Sequence, residues 1–168
     1  MNRHEALLWT KPSWLRREFV LTRGLEEIAR LDFDGWGSSS ATIRAAAGQW
    51  RVTRDGFWRS RVSMQGGGLA LSARVSWTGK YDLETPFDGA LRWSCLSIWK
   101  QHYGWSRPDG APVIVYRPAT AFSRRMHAVD MLDAAPLAEP RILLIVLGGY
   151  FLQRTYEDMA ATSAALSA

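Results

Sequence analysis

The sequence lacks several features that would assign the protein to a familiar functional class. It has one cysteine, Cys95, which excludes an intramolecular disulfide and is typical of a reducing compartment. Its longest apolar run extends from Ile142 to Leu152, about half of the roughly 20 residues that a bilayer span needs. The first 14 residues, MNRHEALLWTKPSW, contain no signal-peptide apolar stretch. We therefore expect a cytoplasmic protein without a conventional transmembrane span.

Signatures of catalysis and of metal binding are also missing. The sequence has no CxxC or HExxH motif, no P-loop, no GxSxG elbow, and no GxGxxG that opens a helix. The histidines, His4, His102 and His127, do not stand at metal-ligand spacing. Cys95 lies in an alternating strand pattern with no evident base beside it, which predicts a buried, inert thiol. We predict that the protein is not an enzyme and needs no cofactor.

Tryptophan, by contrast, is abundant and confined to the first two thirds of the chain. The nine tryptophans lie between Trp9 and Trp105. The main interpretation is a thick aromatic core, since tryptophan favours strands and buries a large surface. The alternative is an exposed surface for stacking or for a membrane interface.

Strand patterns extend from about residue 5 to residue 131. They recur every 8–12 residues and are separated by glycine turns and by the loop GWGSSS at residues 35–40. The strongest hairpin signal is Asp55-Gly56, between two alternating segments. This spacing predicts an antiparallel sandwich or barrel in one domain, residues 1–168.

The last predicted element is a helix, and its composition is unusual. Its core residues are Ile142, Leu143, Leu144, Ile145, Val146, Leu147, Gly148, Gly149, Tyr150, Phe151 and Leu152. A helix that is apolar on every face must be buried, so we predict a core helix from about residue 140 to 160 inside a shell of strands. Gly148 and Gly149 predict close approach of a strand or an aromatic ring. The tail, residues 162–168, is predicted to fray.

A formal net charge of +5 favours anionic partners, although the basic residues are scattered, which is also typical of a solvated barrel surface. No run of bases indicates nucleic acid. The best candidate anion or lipid site is the Asp55-Gly56 hairpin, where a two-residue turn would place three arginines and Trp50 on one face. The candidate residues are Arg54, Arg59, Arg61 and Trp50, with the doubled bases Arg16, Arg17, Arg124 and Arg125. A weaker alternative is a calcium site at Asp130, Asp133 and Glu139.

Several short motifs resemble one superfamily. Pro136-Leu137 followed by LGGYFL at residues 147–152 resembles the C-terminal segment of phospholipid scramblases. Residues 45–52 (AAAGQWRV) and 105–113 (WSRPDGAPV) are similar to strand pairs of the tubby-like superfamily, which includes the LURP-one-related proteins. This resemblance implies a closed barrel of about twelve antiparallel strands around a buried hydrophobic C-terminal helix. It also implies binding of phosphoinositide headgroups, but no matching basic motif is found here.

These observations predict a non-enzymatic module that binds anionic phospholipid headgroups or a protein partner, and that is peripheral at a membrane when lipid is the partner. Two alternatives remain open: a scramblase-like membrane protein, and a barrel that binds a small ligand or acts as an enzyme.

Overall fold

The computed structural model describes residues 6–55, 60–76, 80–120, 125–133 and 135–166. Within these ranges the chain forms twelve strands and one helix. They are β1 (Leu7–Thr10), β2 (Glu18–Arg23), β3 (Glu26–Phe33), β4 (Ala41–Ala45), β5 (Gly48–Asp55), β6 (Arg61–Gly66), β7 (Leu69–Val75), β8 (Tyr81–Thr85), β9 (Gly89–Ser97), β10 (His102–Ser106), β11 (Pro112–Pro118), β12 (Met126–Met131) and α1 (Glu139–Leu166).

The strands form one closed antiparallel barrel. Each strand pairs with its neighbour in sequence, and the short β1 closes the ring by pairing with both β2 and β12. Leu7 pairs with Val129 at one end of this closure, and Thr10 pairs with Met126 at the other. The predicted fold, a barrel of about twelve strands around a hydrophobic C-terminal helix, is confirmed.

Alternation along each strand separates the inside of the barrel from the outside. On β5, Trp50 and Val52 are buried whereas Arg51 between them is exposed. On β6, Val62 and Met64 are buried and Arg61 is exposed. A period of two residues places one set of side chains on each face of a sheet, so the apolar set forms the lining of the barrel.

The helix α1 fills the barrel. All its residues from Leu143 to Leu152 are buried. Its aromatic side chains stack on rings from opposite parts of the wall: Tyr150 on Phe33 of β3 at 5.5 Å between ring centroids, and Phe151 on Tyr81 of β8 at 4.1 Å. Aromatic pairs of this kind add to the free energy gained from burial.

Gly148 and Gly149 lie where aromatic rings of the barrel wall pack against the helix. A Cβ atom on Gly148 would lie 2.8 Å from the indole nitrogen of Trp105 and from the hydroxyl oxygen of Tyr116, and a Cβ on Gly149 would overlap the ring of Trp9. The predicted close approach of an aromatic ring is therefore confirmed. The space left by the glycines also lets Trp105 donate to the carbonyl of Leu144 at 3.0 Å, and the Tyr116 hydroxyl donate to the carbonyl of Ile145.

The two ends of α1 are held differently. In its first turn Arg141 is buried and pairs with Asp88 at 2.7 Å and with Asp133 at 2.6 Å. At the other end the helix continues to Leu166 and residues 162–166 are helical, so the predicted end near residue 160 and the predicted fraying are wrong for these residues. Alanine, the strongest helix former, recurs through this segment.

Cys95 is exposed, contrary to the prediction of a buried thiol. The pairing of β9 with β10 shifts between His102, which lies opposite Ser97, and Tyr103, which lies opposite Cys95, so one residue of β9 bulges next to Cys95. The alternation that buries Trp93 therefore does not extend through Cys95. Partial burial raises the pKa of the thiol above its ordinary value, which does not favour a reactive thiolate.

Candidate functional site

The two ends of the barrel carry different chain segments. Because adjacent strands are antiparallel, the connections after β1, β3 and β9 all lie at one end. The last turns of α1 emerge there as well, where Glu157 pairs with Arg17 at 2.5 Å. We call this the aromatic end and define it by residues 11–17, 34–40 and 98–101 together with Arg125.

Tryptophan is exposed at this end and buried elsewhere in the described barrel. Trp14, Trp36 and Trp99 are 73%, 66% and 97% exposed. Four others are buried in the core: Trp9, Trp50, Trp93 and Trp105. The predicted aromatic core is therefore confirmed for these four tryptophans. The exposure of the other three fits the alternative interpretation, whose binding role stays a prediction. Trp58 and Trp77 lie outside the described residues.

Exposed apolar side chains of other types are concentrated at the same end. Ten large hydrophobic residues are exposed in the part of the chain that the structure describes. Eight lie in these connections, at the start of β12 or on the emerging turns of α1: Trp14, Leu15, Trp36, Ile98, Trp99, Met126, Met159 and Leu166. Leu25 and Leu132 lie at the opposite end. Such clustering marks an interaction surface more often than scattered exposure does.

Basic side chains lie directly against these rings. The Arg125 guanidinium is 3.5 Å from the centroid of the Trp14 ring, and the Lys11 ammonium is 5.8 Å from that of Trp36. The Lys11 amide also donates to the Arg125 carbonyl at 2.9 Å, so two connections are joined here. Cation–π contacts are worth about 0.5–1 kcal/mol at exposed sites, enough to bias the positions of the rings. The surface therefore combines aromatic area with positive charge.

Of the two doubled bases, the structure exposes Arg16 and Arg125 and buries Arg17. Arg16 is exposed in the β1–β2 connection. Arg17 is buried: it donates to the carbonyls of Gly35 at 2.6 Å and Ser38 at 2.8 Å, pairs with Glu157, and lies over the Phe33 ring. Its guanidinium is buried and paired with Glu157, so Arg17 is not part of the exposed surface, and an anion-binding role for it stays a prediction. Arg124 lies outside the described residues.

The register predicted for the β5–β6 hairpin is wrong. The strands end at Asp55 and resume at Arg61, so the connection is longer than a two-residue Asp-Gly turn, and the pairing is Asp55 with Arg61. Trp50 consequently faces the core. Arg54 is half-buried on the inner side, and Arg61 is exposed on the outer side, so the three do not form one surface. Arg59 lies outside the described residues.

Four arginines on the outer wall form ion pairs with neighbouring carboxylates. Arg44 pairs with Asp32 at 2.5 Å, and Arg92 with Asp82 at 2.6 Å. Arg51 pairs with Asp34 and Arg117 with Asp130, and these carboxylates raise the pKa values of both guanidinium groups. Such pairs add little stability at a surface, but they neutralise the wall. The interpretation of scattered arginines as a solvated barrel surface applies to this region.

The carboxylates of the calcium alternative do not converge. Asp130 is paired with Arg117, and Asp133 with Arg141 and with Arg107 at 3.5 Å. Glu139 lies in the first turn of α1. Across the described ranges, no group of three or more His, Cys, Asp or Glu residues could hold a metal ion.

Inside the barrel, Tyr116 and Tyr150 are hydrogen-bond donors. Burial raises the pKa of Tyr150 to about 12 and that of Tyr116 well above its ordinary value, so both remain protonated at neutral pH. Tyr150 donates to the carbonyl of Ser39 at 2.6 Å, which fixes the β3–β4 connection to the helix. These hydroxyls hold the barrel to α1.

Sequence reasoning missed Trp14, Trp36, Trp99 and Lys11 as site residues. A signal was present: Trp36 stands within GWGSSS and Trp14 follows Pro12-Ser13, both of loop composition. An aromatic residue in such a segment belongs to no alternating core face, which favours exposure.

Comparisons with protein-family models, with curated proteins and with solved structures found no match. The resemblance to tubby-like proteins and scramblases stays a prediction based on short motifs. Among the described residues, no helix is long and apolar enough to cross a bilayer.

Proposed function

We propose that this protein is a non-enzymatic module that binds anionic phospholipid surfaces through its aromatic end. It would act as a cytoplasmic protein, peripheral at the membrane. The observation that carries the proposal is that Trp14 and Trp36, both exposed, each lie against a cation. Indole rings favour the bilayer interface, and lysine and arginine are attracted to anionic headgroups.

The filled interior supports a surface-binding role over the alternatives. Ligand pockets generally occupy about 300–1,000 Å³. Here the space inside the barrel holds α1 and the rings packed against it. A carrier or an enzyme that uses the barrel lumen would have to displace that helix. A scramblase-like role with the helix in lipid would require the same displacement.

Vesicle binding tests the proposal. The probe is vesicles of phosphatidylcholine with or without phosphatidylserine, and the measurement is co-sedimentation across a salt series. We expect binding only to the anionic vesicles, and weaker binding as salt rises, because exposed charges are screened beyond about 8 Å at physiological ionic strength. The variant Lys11→Gln/Arg16→Gln/Arg125→Gln should bind about 100-fold more weakly, at about 1 kcal/mol for each charge near the surface.

A control variant carries the same change in net charge on the outer wall: Arg44→Gln/Arg51→Gln/Arg117→Gln. These three arginines are roughly half exposed, and each is already paired with a carboxylate. We expect it to bind nearly as well as the parent protein, with both variants checked for an unchanged melting temperature. Equal losses in the two variants would indicate a nonspecific response to net charge. No binding by the parent even at low salt would refute the lipid proposal and favour a protein partner.

A further inference from the structure

We infer that the barrel docks end-on, with the aromatic end inserted into the interfacial layer of the bilayer and the opposite end facing water. This inference rests on the proposed function and adds an orientation and a set of inserted residues. The inserted groups are Trp14 and Leu15, Trp36, Ile98 and Trp99, and the last turns of α1.

The positions of the β1–β2, β3–β4 and β9–β10 connections around the end of the barrel define the orientation. In the ring of strands, the β1–β2 and β3–β4 connections are adjacent. The β9–β10 connection is separated from them by the β11–β12 connection on one side, and by the β5–β6 and β7–β8 connections on the other. Exposed tryptophans therefore lie on both sides of the aromatic end of the barrel. A flat surface that touches both sides must lie across the end of the barrel, not along its wall.

The last turns of α1 emerge at the part of the aromatic end that the β1–β2, β3–β4 and β9–β10 connections do not occupy. Its last turns flank a cleft of about 520 Å³, which is also lined by Arg54, Val75 and Tyr81 of the β5–β8 part of the rim. After Asp158, no residue from Met159 to Leu166 carries a charged side chain, and these residues are exposed. At about 1.5 Å per residue this segment is about 12 Å long. It can therefore enter the same interfacial layer without burying a charge.

Basic residues lie next to the inserted apolar residues, at the level where lipid headgroups would lie. Lys100 follows Trp99 directly and is exposed, Arg16 follows Leu15, and Arg125 and Lys11 lie against the rings of Trp14 and Trp36. When an indole ring sits at the interface, a neighbouring lysine or arginine reaches the phosphate layer. Inserted apolar residues with basic residues next to them thus match an anionic bilayer better than they match a wholly apolar partner surface.

The connections that carry the inserted residues are held in place by hydrogen bonds. Arg17 joins the β1–β2 connection to the β3–β4 connection through the carbonyls of Gly35 and Ser38, and to α1 through Glu157. In the β9–β10 connection, the amide of Gln101 donates to the Ile98 carbonyl at 3.2 Å. A preorganised surface loses less conformational entropy when it binds, so ordering the inserted residues costs little free energy on docking.

Site-directed labelling tests the orientation directly. In a Cys95→Ser background, single cysteines are introduced by Leu15→Cys, Ile98→Cys or Ser163→Cys at the aromatic end, and by Leu25→Cys or Leu132→Cys at the opposite end. Each is labelled with an environment-sensitive fluorophore and mixed with phosphatidylcholine/phosphatidylserine vesicles that contain a shallow nitroxide quencher. We expect blue-shifted and quenched emission at the first three positions, and unchanged, water-accessible emission at the other two.

The outcomes separate the two proposals. Labelled protein that co-sediments with the vesicles while Leu25→Cys is quenched, or while all five labels stay in water, overturns the end-on inference and leaves lipid binding standing. Labelled protein that does not co-sediment overturns lipid binding itself. A blue shift at the aromatic end that rises with protein concentration in the absence of vesicles would show that a second copy of the chain covers this surface, and would also overturn the inference.

A tryptophan variant gives an independent measurement. Trp14→Ala/Trp36→Ala/Trp99→Ala should lower affinity for anionic vesicles by at least about tenfold, while the remaining binding keeps its salt dependence. The control Leu25→Ala/Leu132→Ala removes exposed apolar area at the opposite end and should bind as the parent does. All three tryptophans are exposed, so the melting temperature should change little. Unchanged affinity in the tryptophan variant would contradict insertion.

Discussion

At the scale of single residues, the buried tryptophans differ in how well their polar atoms are satisfied. Trp105 and Trp50 are both fully buried. The indole N–H of Trp105 donates to the Leu144 carbonyl, whereas that of Trp50 has no hydrogen-bond partner in the described part of the chain. A buried donor without a partner costs about 1–3 kcal/mol. The two rings are thus equal in size and burial but unequal in what their N–H groups contribute.

This difference predicts unequal effects of the same substitution. Trp105→Phe and Trp50→Phe remove the same volume, but the first breaks a hydrogen bond and the second removes an unpaired donor. We expect Trp105→Phe to lower the free energy of unfolding by about 1–3 kcal/mol more than Trp50→Phe does. Chemical denaturation with an unchanged m-value would measure it. Equal losses would mean that the Trp105–Leu144 hydrogen bond contributes nothing net.

At the scale of elements, α1 is both the centre of the core and a projection from it. Its buried residues are Arg141, those from Leu143 to Leu152 and, as the last, Tyr156, and the residues after Glu157 are exposed. Each large buried side chain contributes about 1.5–3 kcal/mol, against a total stability of about 5–15 kcal/mol. The inner part of the helix is therefore indispensable for a packed barrel, while the outer part is not.

Two truncations should separate these parts. Deleting residues 140–168 should leave an insoluble or molten chain, with lost near-ultraviolet circular dichroism and strong binding of a hydrophobic dye. Deleting residues 163–168 should leave a cooperative thermal transition within a few degrees of the parent, about 1 kcal/mol or less. A sharp transition near that of the parent in the longer deletion would contradict the role of α1 as the core.

The elements also show what sequence could and could not predict. The apolar helix was predictable because only a buried site suits ILLIVLGGYFL, and strand alternation identified most of the wall. The β5–β6 register was not, because the Asp55-Gly56 signal competes with the inward placement of Val62 and Met64, and burial of those side chains decided the pairing. The aromatic end was missed for a related reason: it is assembled by the closure of the ring, which brings distant connections together.

At the scale of the whole molecule, one buried group links folding to pH. His127 of β12 is buried, and its Nε2 atom lies 2.9 Å from the hydroxyl of Tyr156 on α1. Its Nδ1 atom has no hydrogen-bond partner among the described residues. Burial lowers the pKa of His127 from 6.5 to about 4. The imidazole is therefore neutral in the folded barrel under conditions where the unfolded chain would already bind a proton.

The sign of the resulting pH dependence follows from that pKa. Between pH 6.5 and about 4 the unfolded state binds more protons than the folded state, so the free energy of unfolding falls as the pH falls. We expect a loss of about 2 kcal/mol at pH 5 relative to pH 8. His127→Gln, which keeps a polar group near Tyr156 without a titrating one, should remove most of the loss. His102→Gln should remove a smaller part of the loss, because partial burial on the outer wall also lowers the pKa of His102. Denaturant unfolding from pH 8 to 5 would measure all three proteins, and parallel curves for the parent and His127→Gln would show that His127 is not the group that couples protonation to the opening of the barrel.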